Sequence, residues 1–144
     1  MYIISACLLG TDCKYNGGNN YCEAVEKLIK GHNYIAVCPE VTGGFSTPRP
    51  PAEIRKGRVY RPDGEDVTEG FREGAKMVFN EVQRKSEEGG EEIEMAILKA
   101  RSPSCGSGTI YDGAFSGTVI KGDGVFAQLL KQKGIKVITE EDIL

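Results

Sequence analysis

The sequence predicts an α/β fold, a mostly parallel sheet flanked by helices in one domain. Three observations carry this. Short apolar runs alternate with amphipathic helical patterns along the chain, as βαβ units require. The length of 144 residues suits one domain whose core needs no disulfide staples. With 40% hydrophobic and 27% charged residues, the composition is that of a globular chain.

Residues 2–6 (YIISA) and 34–38 (YIAVC) read as strands. Residues 20–31 between them read as a helix with Val25, Leu28 and Ile29 on one face, ended by Gly31. After the second strand comes an irregular stretch with Pro48, Pro50, Pro51 and Pro62, too long to be a mere connection and so expected to be functional. Within it, VYRPDGEDVT predicts a small hairpin around Asp63-Gly64. A long helix is expected over 67–88, because Phe71, Ala75, Val78 and Val82 recur at helical spacing, with Asp66 or Thr68 at its start and Gly89-Gly90 after its end. Residues 94–99 form the next strand, followed by the loop RSPSCGSG, a helix at 123–133 and a closing strand at 135–138. Such an order suits a Rossmann-like or flavodoxin-like three-layer arrangement, with residues 1–144 in a single domain and the cysteine loops at the carboxyl edge of the sheet.

No apolar stretch approaches the roughly 20 residues of a membrane span. The start, MYIISACLL, has no basic region and reads as a buried strand instead of a signal peptide. A cytoplasmic location is the expectation. Five cysteines are an odd number, and reduced thiols favour metal binding or catalysis over disulfides. The net charge of −3 gives no global attraction to phosphates, which leaves Arg49, Arg55, Lys56, Arg58 and Arg61 as the local basic set for any RNA contact.

Cys7, Cys38 and Cys105 each lie at or just after the carboxyl end of a predicted strand, the edge where open parallel sheets bind ligands. A 4Fe-4S cluster takes one thiolate per iron, so three protein thiolates leave one iron open to a substrate atom. The neighbouring glycines allow close backbone approach. Cys13 is either a further ligand or a reserve thiol, whereas Cys22 lies inside the first helix and is expected to pack or to face solvent. Zinc is less well suited, since no C-x2-C pair exists. The single histidine, His32, follows a helix end and reads as a surface residue.

Glu40, two residues after Cys38, sets a carboxylate beside the thiols as general acid and base. Ser102 and Ser104 flank Pro103 before Cys105, and either hydroxyl suits orientation of a substrate or a water. Lys99 and Arg101 suit an anionic cluster or substrate. The Pro48-Arg49-Pro50-Pro51 run with Glu53 suits either a rigid pocket wall or an extended surface connector. Tyr15, Phe45 and Tyr60 are available either to stack on a planar base or to fill core.

The segments CLLGTDCKYNGG, VCPEVTGGFSTPRPPAEI and LKARSPSCGSG resemble, in order and spacing, the motifs of the domain-of-unknown-function family that includes the 4Fe-4S-dependent thiouracil desulfidases. The resemblance spans essentially the whole chain. It implies an oxygen-sensitive 4Fe-4S cluster, which aerobic preparation can leave out, on Cys7, Cys38 and Cys105. Cys13 also matches a family cysteine, so the first-loop ligand stays open between Cys7 and Cys13. It further implies a catalytic glutamate and serine, which map to Glu40 and Ser102, and non-redox C–S hydrolysis of a thiolated pyrimidine of the thiouracil or thiouridine class. Where the family commonly has CRYDGG this chain reads CKYNGG, so Lys14 keeps the charge without the bidentate fork and Asn16 lacks a carboxylate. Thiolated tRNA is a further substrate expectation. The alternatives are a non-catalytic iron-sulfur or sulfur-carrier protein and a cluster-free structural domain.

Overall fold

A computed structural model describes residues 1–144. In chain order the elements are β1 (Tyr2–Ser5), α1 (Glu23–Ile29), β2 (Tyr34–Val37), α2 (Pro39–Thr42), β3 (Glu53–Arg55), β4 (Arg58–Tyr60), α3 (Thr68–Gly89), β5 (Met95–Leu98), β6 (Thr109–Tyr111), β7 (Val119–Lys121), α4 (Val125–Gln132) and β8 (Val137–Thr139), with 3-10 turns at Ala6–Leu9 and Glu140–Asp142. The main sheet runs β2-β1-β5-β8 with every pair parallel. The chain leaves β1 for β2 on one side, then crosses to β5 on the other. A topological switch point therefore lies between β1 and β5, and the loops beyond their carboxyl ends diverge into a crevice.

Both faces of this sheet are covered. Ile3, Val37, Ala96 and Leu98 pack with Ala75, Val78 and Val82 of α3 and with Phe126, Ala127 and Leu130 of α4. Ile4 and Ile97 point the other way, onto Leu8 and onto Val25 and Ile29 of α1. The strands read as unbroken apolar runs because successive side chains enter two different buried layers.

The sequence expectations hold for the parallel sheet and for the inward face of α3, where Phe71, Ala75, Val78 and Val82 are all buried. Asp66 accepts the Thr68 N–H through Oδ1 at 2.9 Å just before the helix start, whose N-cap position is held by Val67 with no side-chain cap. Leu28 departs from its expected place: it is exposed, because only Val25 and Ile29 of α1 reach the sheet. The expected small hairpin at Asp63-Gly64 is present, and a longer one precedes it. The longer one pairs β3 with β4 around Lys56-Gly57, both at positive φ (51° and 77°), as the common two-residue hairpin turn requires. Asp63-Gly64 makes a turn beyond it, closed by one bridge between Tyr60 and Asp66. A second hairpin, β6 with β7, has strands too short to carry a readable period in the sequence.

The short helix α2 lies directly on the backbone of α3. A Cβ at Gly43 would sit 2.7 Å from the Gly70 carbonyl oxygen, and one at Gly74 would collide with the Pro39 carbonyl oxygen. This contact fixes the residues that follow β2. An alanine in a helix interior ordinarily stabilises relative to glycine by about 1 kcal/mol. Gly74→Ala is expected to do the reverse, costing about 1–3 kcal/mol by overpacking, whereas Gly89→Ala, with open space around it, is expected to be neutral or stabilising. Urea denaturation of the two variants checks this, and equal midpoints would remove the claimed backbone contact.

Candidate active site

Three strand ends bring the cysteines together. β1 runs into the 3-10 turn that carries Cys7, closed by Gly10 at φ 94° with its N–H donating to the Cys7 carbonyl at 3.2 Å. Cys38 follows β2 in an extended conformation (φ −138°) because Pro39 comes next, and Pro39 in turn opens α2. After β5, the Ser102 hydroxyl oxygen accepts the N–H groups of Ser104 and Cys105, both at 3.1 Å. The resulting turn fixes Cys105 against the start of α4, where a Cβ on Gly124 would sit 2.5 Å from the Ser104 carbonyl oxygen. Cys7, Cys13, Cys38 and Cys105 line one cavity of about 660 Å³, together with Glu40, Arg49, Lys99, Arg101 and Ser102.

Glu40 is held from two sides. Arg49 donates through Nε to its Oε1 at 3.1 Å, and the Ser104 hydroxyl donates to its Oε2 at 3.1 Å. The Arg49 side chain is only 5% exposed. Its remaining donors reach the Cys13 carbonyl at 2.8 Å and, at 3.1 Å each, the Ser46 carbonyl and the Thr47 hydroxyl.

The thiols differ in acidity. Burial pushes Cys105 and Cys7 up. Cys38 is pushed down to about 6, chiefly by the hydrogen bond that the Cys13 thiol donates to it, and the same bond pushes Cys13 up. All five cysteines are free.

The other expected residues fall as follows. Lys99 lines the cavity with its ammonium on Glu140 at 3.0 Å, and Arg101 lines it while pairing with Glu141 at 2.7 Å. Ser104 is buried behind the wall and touches Glu40. Cys22 packs beside the Ile4 and Leu8 cluster, outside the cavity, and His32 stacks on Tyr2 at 5.0 Å. The basic set does not form one surface: Arg49 is buried in the site, Arg58 pairs with Asp66, Arg61 with Glu65, and Arg55 lies over the Tyr60 ring. Among the aromatics, Tyr15 lines the cavity, while Phe45 packs on Phe71. Sequence reasoning missed the pairing of Arg49 with Glu40. The signal available was an arginine fixed between prolines in the long loop. It also missed Tyr111 and Phe115, which line the cavity from the β6–β7 hairpin, and Asn20, which lines it while its backbone N–H donates to the Cys7 carbonyl at 3.0 Å; none of the three has a sequence signature.

No three His, Cys, Asp or Glu side chains are grouped closely enough to hold a single metal ion. Four soft donors spread around one cavity, with cations beside them, suit a polynuclear iron-sulfur group whose corners each take one thiolate. In the metal-free protein, the iodoacetamide reaction at Cys38 is expected to rise with pH through a midpoint near 6, since the thiolate forms above its lowered pKa. Cys13→Ala removes the largest lowering cause, so the midpoint should move up toward the ordinary thiol range. Mass-spectrometric mapping of the labelled cysteine across pH checks both, and an unmoved midpoint in the variant would show that the pair is not coupled.

A family model described as 2-thiouracil desulfurase matches residues 2–142. The chain is 44% identical to the protein YbbK of Bacillus subtilis (strain 168), over 99% of this chain and 97% of that protein. Its fold matches the solved structure of the [4Fe-4S]-dependent thiouracil desulfidase TudS with a TM-score of 0.87 and 39% identity, covering 99% of this chain and 91% of that one. The ordered motifs, the doubly wound sheet and the match over nearly the full length agree, and the chain belongs to the 2-thiouracil desulfurase family.

Proposed function

We propose that this chain is a thiouracil desulfurase, an enzyme that hydrolyses the C–S bond of a small thiolated pyrimidine with no net electron transfer, using a 4Fe-4S cluster held by Cys7, Cys38 and Cys105. The observation that carries this reading is the convergence of four thiols and a doubly held Glu40 on one cavity at the sheet's switch point. A cluster bound by three thiolates supplies a soft Lewis-acidic iron open to the thiocarbonyl sulfur. Cys7, on the turn that leaves the central strand β1, is the assigned first-loop ligand, and Cys13 is the thiol beside Cys38.

Both groups on Glu40 are donors, so its carboxylate faces the cavity as an acceptor with lone pairs left for water. Glu40 takes a proton from the water that attacks the ring carbon and returns it to the departing sulfur. In balance, the thiocarbonyl and one water give the carbonyl and one hydrogen sulfide. The Ser102 oxygen already accepts two N–H groups, which leaves its O–H to donate into the cavity and orient the substrate or the water. Lys99 and Arg101, fixed by Glu140 and Glu141, stand ready to hold the substrate's electronegative edge. A cavity of about 660 Å³ lies within the range of small-molecule sites. Free thiols throughout suit a reducing cytoplasm.

The test is anaerobic reconstitution with iron and sulfide, then incubation with 2-thiouracil, 4-thiouracil and thiolated tRNA while following thiocarbonyl absorbance and sulfide. Loss of absorbance with matching sulfide release is expected for the free bases. Glu40→Gln should keep the cluster spectrum and lower kcat about 10²–10⁴-fold. Cys38→Ala should lose both cluster and turnover, and Cys7→Ala should do so where Cys13→Ala does not. Turnover by Cys38→Ala would count against the reading.

A further inference from the structure

The loop 112–118 between β6 and β7 carries an aromatic residue in a backbone conformation that its side chain opposes. Phe115 has φ 55°, in the left-handed region, between Gly113 (φ 91°) and Gly117 (φ 80°), which adopt that region freely. The conformation is held from outside the loop. Oε1 of Glu53, the first residue of β3, accepts the N–H groups of both Gly113 and Phe115 at 3.1 Å. Within the loop, the Ala114 N–H donates to Asp112 Oδ1 at 2.9 Å. Gly113 lies so close to β3 that a Cβ on it would sit 2.7 Å from Arg55 Cβ.

This arrangement does not serve the core. Phe115 belongs to none of the three buried apolar clusters. It is half-buried and lines the cavity that holds the thiols, as do Glu53 and Tyr111. Glycine would relieve the turn at this position, yet the chain carries a large planar ring there. Backbone strain maintained at a cavity wall points to a use of the side chain, and a flat apolar face suits a flat ring.

We propose that Phe115 recognises the planar ring of the substrate by stacking on the thiolated pyrimidine, and that Glu53 is the positioning residue that holds it over the cavity. The proposal rests on the desulfurase reading above and names the part of the site that binds the ring. Stacking is tolerant of ring substituents, so Phe115 supplies affinity for 2-thio and 4-thio bases alike.

The experiment compares Phe115→Leu, Phe115→Trp and Glu53→Ala with the wild-type holoenzyme. KM and kcat for 2-thiouracil are measured, alongside iron content and the cluster absorbance. Phe115→Leu is expected to raise KM about ten-fold with kcat within two-fold and iron content unchanged. Glu53→Ala should shift KM in the same direction. Phe115→Trp, which keeps a stacking face, should recover most of the affinity, and because the chain has no other tryptophan its fluorescence should be quenched on titration with 2-thiouracil. An unchanged KM in Phe115→Leu, or a loss of iron and kcat instead of a rise in KM, overturns the proposal. Should the wild type bind iron but not release sulfide, the desulfurase reading fails by itself, and the fluorescence titration still decides whether Phe115 meets the ring.

Discussion

The buried ion pair between Arg49 and Glu40 is the contact on which the rest of the site depends. Its two side chains are 5% and 15% exposed, so each charge has given up most of its water and must be compensated by the other. Removing one partner of such a pair costs about 3–5 kcal/mol. The same guanidinium holds the Cys13 carbonyl and the Ser46–Thr47 segment, and the same carboxylate holds Ser104. Four chain segments are thereby joined through one guanidinium and one carboxylate, in addition to the backbone bond from the Arg49 N–H to the Tyr15 carbonyl at 2.7 Å. A lysine would keep the charge and lose the simultaneous contacts, because only the planar guanidinium reaches several acceptors from a fixed position.

The sheet supplies the other half of the construction. Parallel strands send every carboxyl end to the same edge, and the order β2-β1-β5 places the three cysteine loops next to one another there. The convergence of residues 7, 38 and 105 is thus a property of topology before it is a property of side chains. Glycine contacts then set the fine position. α2 can follow Cys38 at its observed depth only because Gly43 and Gly74 let backbone meet backbone, and the Cys105 turn is seated the same way by Gly124.

What could be read from the residues follows from this division. The parallel sheet, the inward stripe of α3 and the strand-end cysteines are encoded by local periodicity and by turn residues, so they were legible. Leu28 was misread because a seven-residue α1 touches the sheet with only two residues, a narrower stripe than its apolar pattern suggests. The small hairpin around Asp63-Gly64 was legible because Asp-Gly is a strong turn signal, and Tyr60 bridges Asp66 across it; the hairpin before it was not. Lys56-Gly57, with a non-glycine residue at φ 51°, is a weak signal that tertiary pairing of β3 with β4 enforces. The partnership of Arg49 with Glu40 joins residues nine apart through a fold-dependent approach, and the reach of Phe115 into the cavity depends on Glu53, 62 positions away in the chain. No spacing rule encodes either.

The protonation of the thiols explains how four cysteines share one cavity without opposing the fold. Four thiolates in one half-enclosed space would repel one another. Burial pushes Cys7 and Cys105 up, and the hydrogen bond between Cys13 and Cys38 pushes Cys13 up and Cys38 down, so the four thiols differ in how readily they ionise. Of the four cations on the wall, Arg49, Lys99 and Arg101 each face a carboxylate, whereas Lys14 makes no ion pair. Under the proposed function, ligation by Cys7 and Cys105 must release the protons that burial retains. Under that reading the affinity of the site for iron rises with pH.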